Sequence, residues 1–260
     1  MQIDLTGRIA LISGGSRGIG AATVRMFAAA GAQVVFNYVA AQAAAEALVA
    51  DVGAERCHAV RCDLSSAAAG QELVAAAVAR FGRLDALVAN HGIWVAEDVA
   101  IDQMSDEQWR RTMAINVDSV FGLIKYSVAQ MKRQARSPAS NAAGYIVLVS
   151  STAGQRGEAL HCDYAASKGA LISMAKGLST ELAGDGIYVN CVAPGWVATD
   201  MVAPALNDPA IRKLIFDSIP LGRVGTPEEI AGPILFLCSP HAGFITGEIF
   251  NVNGGAVLAG

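Results

Sequence analysis

The sequence predicts a single α/β domain built on a doubly wound parallel sheet. Short apolar runs alternate with longer stretches of helical periodicity from end to end, the pattern of βαβ units whose parallel strands are covered on both faces. No internal repeat, low-complexity tract or interdomain linker breaks this rhythm over the 260 residues. At that length a chain buries roughly three quarters of its unfolded surface, so one large core needs no disulfides.

The elements follow in order. The apolar run 9–12 is too short for a helix and reads as a strand. A glycine-rich turn leads into a helix whose inward face carries Ile19, Thr23 and Phe27 and which Gly31 stops. Residues 34–36 form the next strand, and 43–52 a helix, rich in the good helix former Ala, that closes at Gly53. A strand at 58–62 precedes a helical stripe of Leu73, Val74, Ala77, Val78 and Phe81 ending at Gly82, and 84–89 is again a strand. Ser105 with Gln108 predicts a capping box, with Met104 and Trp109 as its hydrophobic staple, for a helix that runs past Asn116 towards Met131. Residues 133–144, with Pro138, read as a surface loop. Strands follow at 145–149, 187–192 and 249–252, and a helix over 164–182 is closed by Gly184. Thr226-Pro227-Glu228-Glu229 predicts a second capping box with Pro at the first helical position. Residues 193–225 interrupt the alternation with Pro194, Pro204, Pro209 and Pro220; so long an irregular stretch inside a compact domain is usually functional, often a lid, here placed around 200–222.

Composition excludes several classes. The chain is 53% hydrophobic and 16% charged, with 19 basic and 23 acidic side chains for a net charge of −4. Disordered chains have the opposite balance. A mildly acidic protein, with a pI near 5.6, lacks the clustered Lys and Arg that displace phosphate counterions, so no nucleic-acid partner is expected. The start of the chain lacks a signal peptide's basic and long apolar regions. The uncharged stretch 137–155 contains Pro138, Asn141 and Gly144 and cannot serve as a membrane span. Cys57, Cys62, Cys162, Cys191 and Cys238 are odd in number and irregular in spacing; they read as reduced thiols in a reducing cytosol, so the expected location is cytoplasmic. His58, His91, His161 and His241 show no ligand spacing, and no catalytic metal is expected.

The chemistry begins at Ser13-Gly14-Gly15-Ser16-Arg17-Gly18-Ile19-Gly20, between the first strand and the first helix. Glycines there let the backbone turn sharply and approach a pyrophosphate, whose charge meets free N–H groups at the helix start. That favours a Rossmann-type dinucleotide fold over an ordinary glycine-rich βα turn, although the spacing of Gly14, Gly18 and Gly20 is not the commoner G-x-G-x-x-G. An NAD site usually places a carboxylate after the second strand. Here that strand ends in Phe36-Asn37-Tyr38, and no Asp or Glu occurs between Asp4 and Glu46. Arg17 instead offers a cation to a 2′-phosphate. Both points favour NADP(H), with NAD(H) kept open.

Tyr164 and Lys168 stand at i and i+4, on one face of their helix. A phenol titrates near ~10 in isolation. A neighbouring ammonium is expected to favour the phenolate and let Tyr164 exchange a proton with an alcohol or carbonyl oxygen. Ser151 ends a strand at the carboxyl edge, where open α/β sheets bind ligands, and its hydroxyl is placed to hold the substrate oxygen. Asn90 ends the fourth strand. Asn116 sits inside a helix, where Asn is a mediocre former; it either holds a water beside Lys168 or is a satisfied core amide.

With these motifs the chain resembles the short-chain dehydrogenase/reductase superfamily in its single-domain branch. The likeness spans nearly the full length, through Gly14-xxx-Gly18-Ile19-Gly20, Asp63-Leu64, Ala89-Asn90-His91-Gly92, Asn116, Ser151, Tyr164 to Lys168, Asn190 to Gly195, and Asn253-Gly254-Gly255. The resemblance implies that Tyr164 is the general acid/base, that Lys168 binds the nicotinamide ribose, that Ser151 positions the carbonyl and that Asn116 anchors a relay water. It places Asp63 and Leu64 at the adenine, Asn90 and Gly92 along the adenosine ribose, and Val197 and Thr199 at the carboxamide, with Ser16, Ile19, Asn37, Pro194 and Gly195 also in the cofactor set. Within the superfamily the chain is similar to 3-oxoacyl-[acyl-carrier-protein] reductases and related carbonyl reductases. That implies NADPH-dependent reduction of a ketone, free or acyl-carrier-bound, by a homotetramer. The sequence departs from the pattern at His91, and Trp94, His161, Cys162 and Trp196 surround the expected substrate pocket with bulky side chains. Two alternatives remain: an NAD-dependent alcohol or sugar dehydrogenase, and a non-catalytic dinucleotide sensor, which the intact Tyr and Lys disfavour. The apolar end, Ala256 to Gly260, suits either an intersubunit interface or a frayed tail.

Overall fold

Strand β1 (Ile9–Ile12) is buried along its whole length, and its side chains divide by parity: Ala10 and Ile12 join one core cluster, Leu11 the other. That alternation places β1 at the centre of a sheet covered on both sides. In the computed structural model, which describes residues 2–136 and 142–258, β1 pairs in parallel with β2 (Gln33–Tyr38) and β4 (Ala86–Ala89). With β3 (Cys57–Arg61), β5 (Gly144–Val149), β6 (Ile187–Pro194) and β7 (Ile249–Val252), the seven strands lie in the order β3-β2-β1-β4-β5-β6-β7, all parallel. The chain winds outward through β2 and β3, then restarts at β4 on the other side of β1. The crevice at this reversal is where such sheets bind ligands.

Helices α1 (Gly18–Ala29) and α10 (Pro227–Leu237) cover one face, and α2 (Gln42–Val52) packs beside them. On the other face lie α3 (Ala67–Phe81), α5 (Ser119–Arg133) and α7 (Cys162–Leu182). Helices α3 and α5 approach so closely that a Cβ on Gly122 would stand 2.2 Å from the Ala67 carbonyl oxygen. No helix among the described residues is long and apolar enough to cross a membrane.

Several boundaries differ from those the sequence suggests, each for a stated reason. Ser105 does cap α4 (Asp106–Met113), its Oγ accepting the Gln108 N–H. The reciprocal half of the box is missing, because the Gln108 amide donates to Asp163 across the structure instead. The helix runs on to Arg133 as expected, but through a π turn at Ala114–Asp118. The stop after α7 falls at Gly186, in the left-handed region at φ 73°, after a 3-10 turn over Ala183–Asp185, and not at Gly184. The Thr226 box forms in full: Thr226 N–H donates to Glu229, and Glu229 N–H to Thr226 Oγ1. Between β6 and α10 the chain forms two short helices, α8 (Ala203–Asn207) and α9 (Pro209–Asp217). The middle of the expected 133–144 loop, residues 137–141, and the last two residues of the apolar tail lie outside the described residues.

Candidate active site

Five residues reach the carboxyl edge of the sheet for local reasons. Gly14 takes φ 64° and Gly18 φ 50°, left-handed values that favour glycine, so the loop turns sharply into α1. A Cβ on Gly20 would lie 2.1 Å from the Gly14 carbonyl oxygen. Asn90 ties the loop from below, its amide donating to the carbonyls of Ser13 and Gly14. Asn37 ties it from β2: its Oδ1 accepts the Gly14 N–H at 2.8 Å and its Nδ2 donates to the Cys62 carbonyl. Both amides are thereby engaged in shaping the loop.

This cradle suits a pyrophosphate. No side chain caps the start of α1 and no acid stands in its first turn, leaving N–H groups and the positive end of the helix dipole to an anion. Exposed Arg17 pairs with Asp200 at 3.2 Å. A Cβ on Gly18 would touch Thr199 at 3.1 Å, so the segment after β6 closes the cradle's other side. Leu64 is buried where β3 ends and Asp63 beside it is exposed. Ser16 and Ile19 are half-buried in the loop and the first turn of α1. Pro194 ends β6; Gly195 runs tight against Asn253; Val197 is buried and bridges to Gly225.

Next to the cradle, α7 is held against the end of β5 at two points. The Ser150 hydroxyl donates to the Lys168 carbonyl at 2.7 Å, and Lys168 Nζ donates to the Val149 carbonyl at 2.9 Å. Helical spacing then places Lys168 Nζ 5.8 Å from the Tyr164 ring centroid. The Ser151 side chain lies near the Tyr164 phenol. Ser151 also caps the short helix α6 (Thr152–Arg156), accepting the Ala153 N–H. Burial pushes the Tyr164 phenol up to about 12, opposed by the nearby Ser151 side chain. It pushes the Lys168 ammonium down to about 8. The phenol is therefore not made acidic by its lysine neighbour as the sequence suggests; desolvation of the phenolate is the larger effect.

Asn116, fully buried in the π turn, proves to have a satisfied amide: Oδ1 accepts the Ile93 N–H, and Nδ2 donates to the Ile93 carbonyl and to Ser167. It fixes the loop after β4. Gly92 in that loop is so close that a Cβ there would lie 3.2 Å from both Asn116 Oδ1 and Lys168 Nζ. Trp94, His161 and Trp196, from three separate loops, come together, Trp94 touching both other rings.

Two features escape sequence reading. His91 bridges Ser13 and Ser119 through its two ring nitrogens. Asp163, buried one residue before Tyr164, accepts hydrogen bonds from Thr112 and Gln108. Both sets of partners are distant in sequence. Only the unusual placing of a histidine directly after Asn90 signals the first.

A glycine-rich cradle at the sheet's switch point, with Tyr164 and Lys168 on a helix at the same edge, suits a nucleotide-dependent enzyme. Known proteins agree. Residues 14–257 match the family model described as enoyl-(acyl carrier protein) reductase. A 3-oxoacyl-[acyl-carrier-protein] reductase from Synechocystis sp. is 38% identical over 257 residues, covering 98% of each chain. An acetoacetyl-CoA reductase from Rhizobium meliloti is 36% identical over 252 residues, covering 97% of this chain and 99% of its own. The solved 3-ketoacyl-(acyl-carrier-protein) reductase from Brucella melitensis, complexed with NADH, superposes with a TM-score of 0.89 at 32% identity, over 98% of this chain and all of its own. The chain belongs to the short-chain dehydrogenase/reductase family and is an NAD(P)-dependent oxidoreductase.

Proposed function

We propose that the chain reduces a ketone to a secondary alcohol with NADPH, Tyr164 giving the proton to the carbonyl oxygen. The observation that carries this reading is the placing of the Lys168 ammonium 5.8 Å from the Tyr164 ring centroid, with Ser151 near the same phenol. With its phenol near 12, Tyr164 carries its proton throughout the neutral range, as the acid of a reduction must. Ser151 holds the carbonyl oxygen beside the phenol. Lys168, near 8, is mainly an ammonium at pH 7; it steadies the phenolate left after transfer and reaches the nicotinamide ribose. Asn116 works through Ile93 to fix the wall of the site.

The loop from Gly14 to Gly20 would hold the pyrophosphate and Arg17 a 2′-phosphate, with Asp63 and Leu64 at the adenine, Asn90 and Gly92 along its ribose, and Pro194, Gly195, Val197 and Thr199 at the nicotinamide end. When bound, the dinucleotide supplies the hydride that reaches the carbonyl carbon. Residues 200–222, which carry exposed Met201, Ile211 and Leu214, serve as the lid of one single-domain enzyme. Half-exposed Phe121 on α5 and exposed Leu258 suit a homotetramer, to be sized by light scattering. The free cysteines suit a cytosolic setting.

Replacing Tyr164 by Phe tests the reading: turnover of ketones falls by more than a thousandfold while the Kd for NADPH is unchanged. Near wild-type turnover would overturn it. A second reading, with NADH as the working cofactor, is favoured by the engagement of Arg17 with Asp200; tighter binding of NADH than of NADPH would establish it.

A further inference from the structure

The loops that follow β4 and β6 meet over the end of β5, the strand between them in the sheet. Trp94 from the first loop and Trp196 from the second stand edge to face, centroids 6.1 Å apart and planes at 87°. The His161 ring, three residues before Tyr164, lies 5.0 Å from Trp94 at a tilt of 46°. Three π systems thus meet beyond the carboxyl ends of β4 and β6, the His161 ring immediately before the helix that carries Tyr164.

This border is clamped. His161 Nε2 lies 3.2 Å from Asp98 Oδ1, and Val99 N–H donates to the Leu160 carbonyl at 3.1 Å. Leu160 holds φ 66°, a left-handed value for a residue that is not glycine, which persists only where the surroundings fix it. The aromatic rings are therefore positioned before any substrate arrives, which spares the ordering cost of a flexible pocket.

The charges around the same rings are mostly negative. Glu97, Asp98 and Glu158 stand on the two clamped loops, against Arg156 at the end of α6. Lys213 and Arg223 beyond β6 are paired with Asp217 and Glu229. Phosphate-bearing carriers would meet like charge on the way in.

Building on the ketone-reductase reading, we propose that this site takes a free, uncharged ketone with an aromatic ring next to its carbonyl, and discriminates against phosphate-bearing acyl thioesters. The ring stacks against Trp94 and Trp196, whose faces and edges offer the offset and T-shaped contacts aromatic pairs prefer.

The test compares acetophenone, ethyl acetoacetate and acetoacetyl-CoA with NADPH as reductant. The expected order of kcat/KM follows that sequence, with acetophenone at least tenfold above acetoacetyl-CoA. Trp94→Leu and Trp196→Leu each lower the ratio of acetophenone to ethyl acetoacetate at least tenfold, mainly through KM for acetophenone, and Trp94→Phe restores it. A preference for acetoacetyl-CoA, or a ratio that the leucine variants leave alone, would overturn the inference with the reductase reading intact. Calorimetry of acetophenone on the nucleotide-loaded protein separates the two ideas. Saturable binding that Trp196→Leu abolishes, without turnover of any ketone, would sink the reductase reading and keep the aromatic site. Failure of acetophenone both to bind and to react would sink the site.

Discussion

The guanidinium of Arg17, in the glycine-rich loop, lies 3.2 Å from the carboxylate of Asp200, just past the end of β6. Both side chains are mostly exposed, at 63% and 74%, and such pairs are worth only about 0.2–1 kcal/mol. A 2′-phosphate, with nearly two charges and three acceptor oxygens, competes well for the same guanidinium. Arg17→Ala is expected to raise KM for NADPH roughly tenfold, in line with a charge-assisted bond of about 1.5–3 kcal/mol, and to leave KM for NADH nearly unchanged. Asp200→Asn is expected to act oppositely, lowering KM for NADPH by about twofold to fivefold as the competing pair is lost. Initial-rate kinetics with both nucleotides decide. Equal responses of the two cofactors would place Arg17 away from the 2′ position.

Gly20 faces the Gly14 carbonyl so closely that a methyl group would overlap it at 2.1 Å. The obstacle is backbone, which cannot swing aside. Gly20→Ala is expected to push the glycine loop from its place on α1 and weaken binding of either nucleotide by more than tenfold. The seven-stranded sheet, built from elements elsewhere, is expected to survive. Fluorescence titration with NADPH, beside far-UV circular dichroism, measures both. Normal affinity would mean that the loop takes another path.

The sheet and its helices are legible in the sequence because their signals are local. The short apolar run of β1, the Thr226 box and the i, i+4 spacing of Tyr164 and Lys168 each depend on a few adjacent residues. What is not legible depends on partners far along the chain. Gln108 gives its amide to Asp163 and so leaves the Ser105 box half made. Asn116 reads equally as a water-holding residue or a core amide until Ile93 is seen to occupy its amide. The Asn37 side chain is engaged by Gly14 and Cys62, partners its own stretch of sequence does not announce. Tyr164 is of the same kind: spacing reveals its neighbouring ammonium, but burial, which disfavours the phenolate, is a property of the whole fold.

Lys168 carries a charge that folding opposes. It is 4% exposed, and burial lowers its pKa to about 8 from an ordinary 10.5. Below pH 8 the native protein bears the full cost of the buried ammonium. Between 8 and 10.5 the unfolded chain binds more protons than the native one, so stability attributable to this group rises with pH. Lys168→Met removes the charge at the cost of an unpaired Val149 carbonyl. The variant is expected to lose turnover, and relative to wild type to be favoured by on the order of 2 kcal/mol more at pH 7 than at pH 10. Urea unfolding at the two pH values measures this change, and a constant difference would mean that Lys168 titrates normally. Ketone reduction by the wild type is expected to decline above about pH 8 as the ammonium is lost.

His91 joins the nucleotide loop to the π turn through a chain of hydrogen bonds with a defined direction. The Ser119 hydroxyl donates to the Ile115 carbonyl at 2.6 Å, so its oxygen accepts from His91 Nε2–H, also at 2.6 Å. Ser13 Oγ accepts the N–H groups of Asn90 and His91, so its own proton is left to donate; His91 Nδ1 at 2.7 Å is the nearer acceptor, the Val88 carbonyl lying at 3.4 Å. This pattern requires a neutral imidazole. Burial, and secondarily the charge on Lys168, lower its pKa to about 3. Between that value and the ordinary 6.5 the unfolded chain binds a proton that the native one refuses, so stability drops as pH falls through this window. His91→Ala is expected to cost about 2–3 kcal/mol at pH 7, from the lost hydrogen bonds and the cavity left behind. Its disadvantage shrinks by about 1.4 kcal/mol for each pH unit below 6.5, because the variant has no imidazole to protonate on unfolding. Urea unfolding at pH 7, 5.5 and 4.5 distinguishes the cases: converging curves support a neutral buried imidazole, whereas parallel ones mean that His91 is protonated in the native protein and that the hydrogen-bond chain runs differently.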